Sequence, residues 1–438
     1  MMRSLACFAF GALALLAAAS ASAMNIERIV SPAGIEAWLV REQTVPLVTI
    51  NYALRGGSSQ DEADKSGTAH LAASLLDEGA GNLDSKAFHE KLESRAIEMS
   101  FRVGRDYLYG SMRTLNDNRD EAFDLLHLAL TAPRFDAEAV ERMRSQQLSG
   151  LRRAQTSPND IASRNWWKTA FPDHPYGMES NGTLETVPRI TVGDLRDYVG
   201  RVLARDGLAI SIVGDIDGTA AGKLIDRAFA SLPARGNLKP VPTVTAGGLG
   251  RRIVSAIEVP QAVVTFGGPG IARSDPDFMA AYLVNHILGG GSFTSRLYKE
   301  VREKRGLAYG VSDSLVWFKS SAVVLGGTAT RADRTGDALS IIQKETKRMA
   351  EEGPTAEELA AAKSYVKNSY ALGLDTSNHI AAQLTQIQLD NLGIDYIERR
   401  SALIDAVTID DAKRAAKRLY GGGMLVSVAG KSTGVTPE

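Results

Sequence analysis

An α+β fold of two homologous domains is predicted by three features of the sequence. Stretches of alternating apolar residues are interspersed with helical stretches, and the order of these segments recurs once after about 200 residues. A cluster rich in Pro and Gly lies between the two copies. The alternation at Ile97 to Met112 and at Leu307 to Thr330 reads as hairpins, so each copy is expected to be an α/β-sandwich-like domain of mixed strands and helices. A doubly wound parallel sheet fits less well.

The N-terminus stands apart from the fold. Arg3 is followed by an apolar run from Leu5 to Ala19 and then by Ala21-Ser22-Ala23, the pattern of a secretory signal peptide over residues 1–23 with an A-x-A cleavage site. The run is shorter than the ~20 residues that cross a bilayer. Cleavage makes Met24 the first residue and removes Cys7, the single cysteine, leaving neither a disulfide nor a thiol nucleophile. A lipidated Cys would follow the apolar run, whereas Cys7 stands near its start. No later segment is apolar enough to span a membrane, so the expectation is an exported protein without membrane insertion, periplasmic in a Gram-negative cell.

The first domain is read as residues 24–236. In it Leu75 to Gly81 ends a helix, a charged helix runs from Ser85 to Arg95, and Leu208 to Gly214 forms a closing β-branched strand. Residues 237–250, between Pro233 and Gly250, carry no periodicity and read as a linker. The second domain, 251–438, repeats the plan: His286 to Gly291 ends a helix, Ser295 to Arg305 is charged, and Met424 to Gly430 closes it. The helix from Ser295 can be capped by Thr294 or Ser295, is supported by Glu300 and Lys304 at i,i+4, and stops at Gly306. The chain then reverses into a strand, which can bring Tyr309 back beside Arg302.

Composition narrows the function. The 438 residues are 44% hydrophobic and 23% charged, and 50 basic residues nearly cancel 51 acidic ones, so no basic field exists for nucleic acid. Ala429-Gly430-Lys431-Ser432 resembles the end of a phosphate-binding loop, but Leu425 stands where its first glycine belongs. No G-x-S-x-G elbow occurs, and Asn181-Gly182-Thr183 is a sequon only in a eukaryotic secretory setting.

Two stretches carry the chemistry: Ser66-Gly-Thr-Ala-His70-Leu-Ala-Ala-Ser74, and Leu288-Gly289-Gly290-Gly291-Ser292 running through Arg302 to Gly306-Leu-Ala-Tyr309. With Phe171-Pro-Asp-His-Pro-Tyr-Gly177 and Ile212-Val-Gly-Asp215, they resemble the pitrilysin and insulinase group of zinc peptidases (inverzincins) over nearly the whole mature chain. The likeness is to the short two-domain type, such as the mitochondrial processing peptidase and bacterial periplasmic heterodimers, in which one chain forms half of a peptidase chamber.

Active members carry H-x-x-E-H, two zinc-binding His one turn apart and a Glu as general base. Here His70 keeps the first position, Ala73 replaces the base and Ser74 the second His. The matching of the later helix puts Gly150 at the third ligand and Met143 at a supporting Glu. One imidazole cannot hold zinc, and His89, His127 and His174 show no ligand spacing. No cofactor is therefore expected in this chain, and His70 reads as a helix histidine hydrogen-bonded beside a former site.

The resemblance gives Arg302 and Tyr309 the opposite status. In active relatives an Arg and a Tyr at this spacing reach the zinc site and bind the substrate carbonyl, and Gly289, Gly290 and Gly291 lie near the substrate chamber. By residue type alone Arg302 is a solvated helix residue, Tyr309 a packed strand residue and the glycines a helix end. What the resemblance implies is a non-catalytic subunit that pairs with a zinc-bearing partner containing intact H-x-x-E-H and acts on peptides. The alternative is a non-enzymatic peptide-binding or scaffold protein of the same fold.

Overall fold

Apolar alternation and β-branched residues set two sheets. The computed structural model describes residues 24–431 and 434–437, and the predicted signal segment lies outside the described residues. The first sheet comprises β1 (Ile26–Val30), β2 (Glu36–Arg41), β3 (Leu47–Arg55), β4 (Glu98–Val103), β5 (Tyr107–Leu115) and β6 (Ala209–Gly214), in the order β1-β2-β6-β3-β5-β4. The second comprises β7 (Arg252–Ser255), β8 (Gln261–Pro269), β9 (Ala308–Trp317), β10 (Ala322–Arg331) and β11 (Leu425–Ala429), in the order β7-β11-β8-β10-β9.

The repeat is therefore topological down to the strand. β6 lies parallel to β2 and antiparallel to β3, and β11 lies parallel to β7 and antiparallel to β8. Both closing strands are buried along their whole length, which is why each reads as a continuous β-branched run. Among the described residues, β1 is the one strand of the first sheet without a counterpart. Residues 237–250 hold neither helix nor strand, yet they bond to both halves: Lys239 N donates to Gln60 Oε1 at 2.7 Å, and Val244 N to Ser320 O at 2.9 Å.

One face of the first sheet, including Leu39, Ile50, Tyr52 and Ile212, packs on helices of its own half. Its opposite face is covered from the other half. Helix Ser377–Leu389 lies across β3 and β6, burying Trp38, Val40 and Val213 against Ala381, Leu384 and Ile387. Gln388 Nε2 there donates to Ile210 O at 2.9 Å, and the Thr385 hydroxyl lies 3.1 Å from Asn51 O.

The exchange is reciprocal. Helix Pro158–Ala170, begun by the Ser157 cap and Pro158, lies across β8 and β11 of the second sheet. Trp166, fully buried, donates from Nε1 to Leu425 O at 3.2 Å. The Phe171 to Gly177 motif adds a latch between the halves. The buried Tyr176 hydroxyl donates to Asp106 Oδ1 at 2.5 Å and accepts from Ser320 N at 3.1 Å, while Lys319 N donates to Asp106 Oδ2 at 2.8 Å. His174 orients that turn by accepting from Tyr176 N at Nδ1 and donating to Pro242 O at Nε2.

Candidate functional site

Helix Thr68–Ala73 begins after Gly67, which sits at φ +95°, a left-handed conformation natural to glycine. The buried Asp61 carboxylate accepts from Gly67 N and Ala69 N, both at 2.9 Å, and satisfies donors that the first helical turn leaves free. His70 is half-buried, and burial pulls its imidazole below the ordinary pKa. The ring makes no hydrogen bond to a described residue, which corrects the expectation of a hydrogen-bonded histidine. Ala73 is packed into the core at 3% exposure, and the Ser74 hydroxyl is turned back to donate to Leu71 O at 2.9 Å.

Helix Ala137–Ala154 crosses beside this one. Its Gln147 Nε2 donates to Asn181 O at 2.8 Å and lies 3.4 Å from Gly67 O. Gly150 follows one turn later, where an added Cβ would meet only an Arg153 nitrogen at 3.9 Å, so space alone does not dictate a glycine there. Among the described residues no group of three or more His, Cys, Asp or Glu could hold a metal ion. One imidazole, a buried methyl, a hydroxyl bonded to its own helix and a glycine do not fit zinc.

The second half is arranged differently at the corresponding place. Helix Phe278–Asn285 widens into a π-turn over His286–Gly290, and Gly291 N donates to His286 O at 2.8 Å. Gly289 is buried against β9: an added Cβ would lie 2.3 Å from Asp313 Oδ1. At Gly291 it would lie 2.7 Å from His286 O. Close packing requires both glycines, so more than helix termination is involved. Gly290 alone of the three is exposed.

Asp313 anchors this loop. At 1% exposure it accepts from Asn285 Nδ2 at 2.9 Å and from the Tyr420 hydroxyl at 3.0 Å, and burial pushes its carboxyl up to about 7. Sequence reasoning missed it. The available signal was parity, because Val311, Asp313 and Leu315 share the inward face of β9.

Of the two predicted caps, Ser295 serves: its Oγ accepts from Tyr298 N at 3.4 Å. The turn that follows is π-helical over Tyr298–Glu303, wider than the predicted α-helix, yet Glu300 still pairs with Lys304 at 2.6 Å. Gly306 takes φ +60° and reverses the chain, with Leu307 N donating to Val301 O at 2.9 Å. The Arg302 guanidinium consequently lies 4.5 Å from the Tyr309 ring centre and 4.9 Å from that of Tyr298, whose hydroxyl it also hydrogen-bonds.

The predicted pair is thus brought together, and Tyr298 is a third member not foreseen. Tyr309 is 85% exposed, which corrects the reading of a packed strand residue. Phe293, 67% exposed, stands edge-on to Tyr298 with ring centres 5.0 Å apart. Aromatic faces around a guanidinium hold it by cation–π attraction and leave its in-plane N–H groups available. The His70 helix belongs to the first half, so one chain carries two separate features, that helix and an Arg–Tyr pair whose phenol is exposed.

Comparison with known proteins agrees with this geometry. Residues 38–183 match the family model described as insulinase (peptidase family M16), and residues 189–366 match the peptidase M16 inactive domain. A solved peptidase M16 inactive domain from Pseudomonas fluorescens is similar at TM-score 0.87 and 27% identity, covering 94% of this chain and 100% of that one. Among curated relatives, the non-peptidase homolog YmxG of Helicobacter pylori is 27% identical over 76% of this chain and 77% of its own length. An uncharacterized zinc protease of Streptomyces coelicolor is 27% identical over 93% of this chain and 90% of its own length. With its duplicated sheets, its helix at the metal-motif position and both family models matched in order, the chain belongs to the insulinase-like peptidase family M16.

Proposed function

We propose that this chain is the non-catalytic subunit of an exported heterodimeric zinc metallopeptidase that degrades or processes peptides. One observation carries the reading: the Arg302–Tyr309 pair is assembled with its phenol presented to solvent, while the metal helix of the same chain has Ala73 and Ser74 where a base and a ligand belong. Among the described residues the phenol makes no hydrogen bond and the guanidinium bonds only Tyr298. Across an interface they can donate to a peptide carbonyl held at the zinc site of a partner with intact H-x-x-E-H. The names of the relatives, one a non-peptidase homolog and one an inactive domain, support the non-catalytic part of this reading. The signal-like N-terminus supports export, with a periplasmic location in a Gram-negative cell.

The test is reconstitution. The chain mixed with an active subunit should sediment as a heterodimer and cleave peptides faster than either chain alone. In that complex Tyr309→Phe keeps the ring and removes the hydroxyl, so turnover should fall by about 10² to 10³, the cost typical of one lost oxyanion donor, with assembly and zinc content unchanged. An active subunit that cleaves equally well without this chain would favour a scaffold role instead.

A further inference from the structure

A cleft of about 1110 Å³ opens between the two halves, beside the interdomain latch. Its walls are the face of the first sheet that helix Ser377–Leu389 leaves uncovered, the tip of the β9–β10 hairpin, and the C-terminal end of that helix. Five cations line it, Arg55, Arg102, Arg105, Arg273 and Lys319, against three carboxylates, Glu36, Asp106 and Asp390.

The carboxylates are engaged by other groups. Asp106 accepts from Tyr176 and from Lys319 N in the latch. Asp390 accepts from Trp317 Nε1 at 3.1 Å and Gln386 Nε2 at 3.0 Å, with Arg273 at 3.8 Å. Glu36 pairs with Arg28 at 2.6 Å, and that hydrogen bond holds its carboxyl below the usual pKa.

Three of the cations, Arg102, Arg105 and Arg273, lie against rings instead. The Arg102 guanidinium lies 3.9 Å from the Tyr109 ring centre, and that of Arg105 lies 4.0 Å from Trp167 and 5.9 Å from Phe318. Arg105 donates to a neutral group, Ser180 Oγ, at 3.0 Å. The nearest carboxylate to Arg55 is Asp206 at 3.9 Å, beyond hydrogen-bond distance. Burial lowers Arg105 to about 10, so it stays protonated at neutral pH, and burial also lowers Lys319. A guanidinium lying on a ring keeps its in-plane donors, which match the two oxygens of a carboxylate.

We propose that this cleft selects acidic peptide segments, with Arg55, Arg102 and Lys319 receiving Asp and Glu side chains between aromatic walls. The assignment rests on the peptidase-subunit reading for its choice of a polypeptide ligand. The structure adds a reason of its own: Arg102 lies on β4, the sheet edge, whose outer main-chain groups pair with no other strand among the described residues and suit an extended backbone.

The test compares two dye-labelled peptides of equal length, alternating Glu–Ser and Lys–Ser, by fluorescence anisotropy on the purified protein. The Glu peptide should bind about tenfold or more tightly, and the preference should collapse in about 0.5 M salt. Combining Arg55→Gln, Arg102→Gln and Lys319→Gln should weaken Glu-peptide binding about tenfold with an unchanged unfolding midpoint. Should the triple variant be unstable, Arg102→Glu alone, at an exposed position, should still reduce the preference.

Equal binding of the two peptides, tighter binding of the Lys peptide, wild-type affinity in folded variants, or tighter binding of a single-stranded oligonucleotide of equal length would overturn the assignment. Sedimentation with an active subunit reports separately on the heterodimer. Charge selection without assembly would leave the cleft assignment standing and remove the heterodimer, and assembly without charge selection would do the reverse.

Discussion

Replacing Asp313 by Asn should flatten the pH dependence of stability. In the folded chain the carboxyl is held near 7 by burial, against 3.8 for the ordinary group. Over roughly pH 4 to 7 the folded state therefore keeps a proton that the unfolded chain releases, and the unfolding free energy falls as pH rises through that window. At 1.36 kcal/mol per unit, a separation of about three units corresponds to about 4 kcal/mol, fully present at low pH and lost above about pH 7. The amide introduced by Asp313→Asn would keep an acceptor for Asn285 Nδ2 and offer a donor to the Tyr420 oxygen, so it imitates the protonated acid. The assay is urea unfolding of both proteins, followed by tryptophan fluorescence across roughly pH 4 to 8. Other titrating groups, Asp61 included, cancel in the difference between the two curves. A difference that stays constant with pH would show that Asp313 is ionised throughout and would refute the argument.

Three further outcomes follow from the packing. Gly289→Ala sets a methyl 2.3 Å from Asp313 Oδ1 and should cost about 2 to 3 kcal/mol, read as a lower urea midpoint. Trp166→Ala empties the seam between its helix and β11 and should cost about 3 to 5 kcal/mol, with both halves destabilised together in calorimetry. Metal analysis of the dialysed protein should find less than about 0.1 equivalent of zinc, and a value near one equivalent would contradict the ligand argument.

Much of the fold was legible because its signals are local. The β-branched runs at Ile210 to Val213 and Leu425 to Val428 are buried centre strands, and the recurrence of the same segment order reflects a duplicated topology. The helix exchange was not legible. An apolar stripe on Pro158–Ala170 or Ser377–Leu389 indicates that the helix covers a sheet, but both sheets offer the same kind of surface.

At the candidate site, the chain reversal at Gly306 and the nearness of Arg302 to Tyr309 followed from turn chemistry. The π-turns before and after the glycine loop did not, and the Asn285–Asp313 hydrogen bond that flanks the first of them joins residues distant in sequence. The cationic cleft was hidden by a nearly neutral total charge. Arg55, Arg102 and Lys319 come together only when the β4–β5 and β9–β10 hairpins face one another.

The exchanged helices also impose an order on biogenesis. When the ribosome has finished β6, the first sheet is complete in strands but bare on one side, with Trp38, Val40 and Val213 awaiting residues that are still unmade. The contact between Thr385 and Asn51 spans 334 residues of chain, so this surface stays open until most of the polypeptide has emerged. Helix Pro158–Ala170 waits in the opposite sense, made early and without a seat until β8 and β11 exist. Neither half can be finished first, so closure must come as one late, long-range event, and until then the apolar seams of the nascent chain stay open.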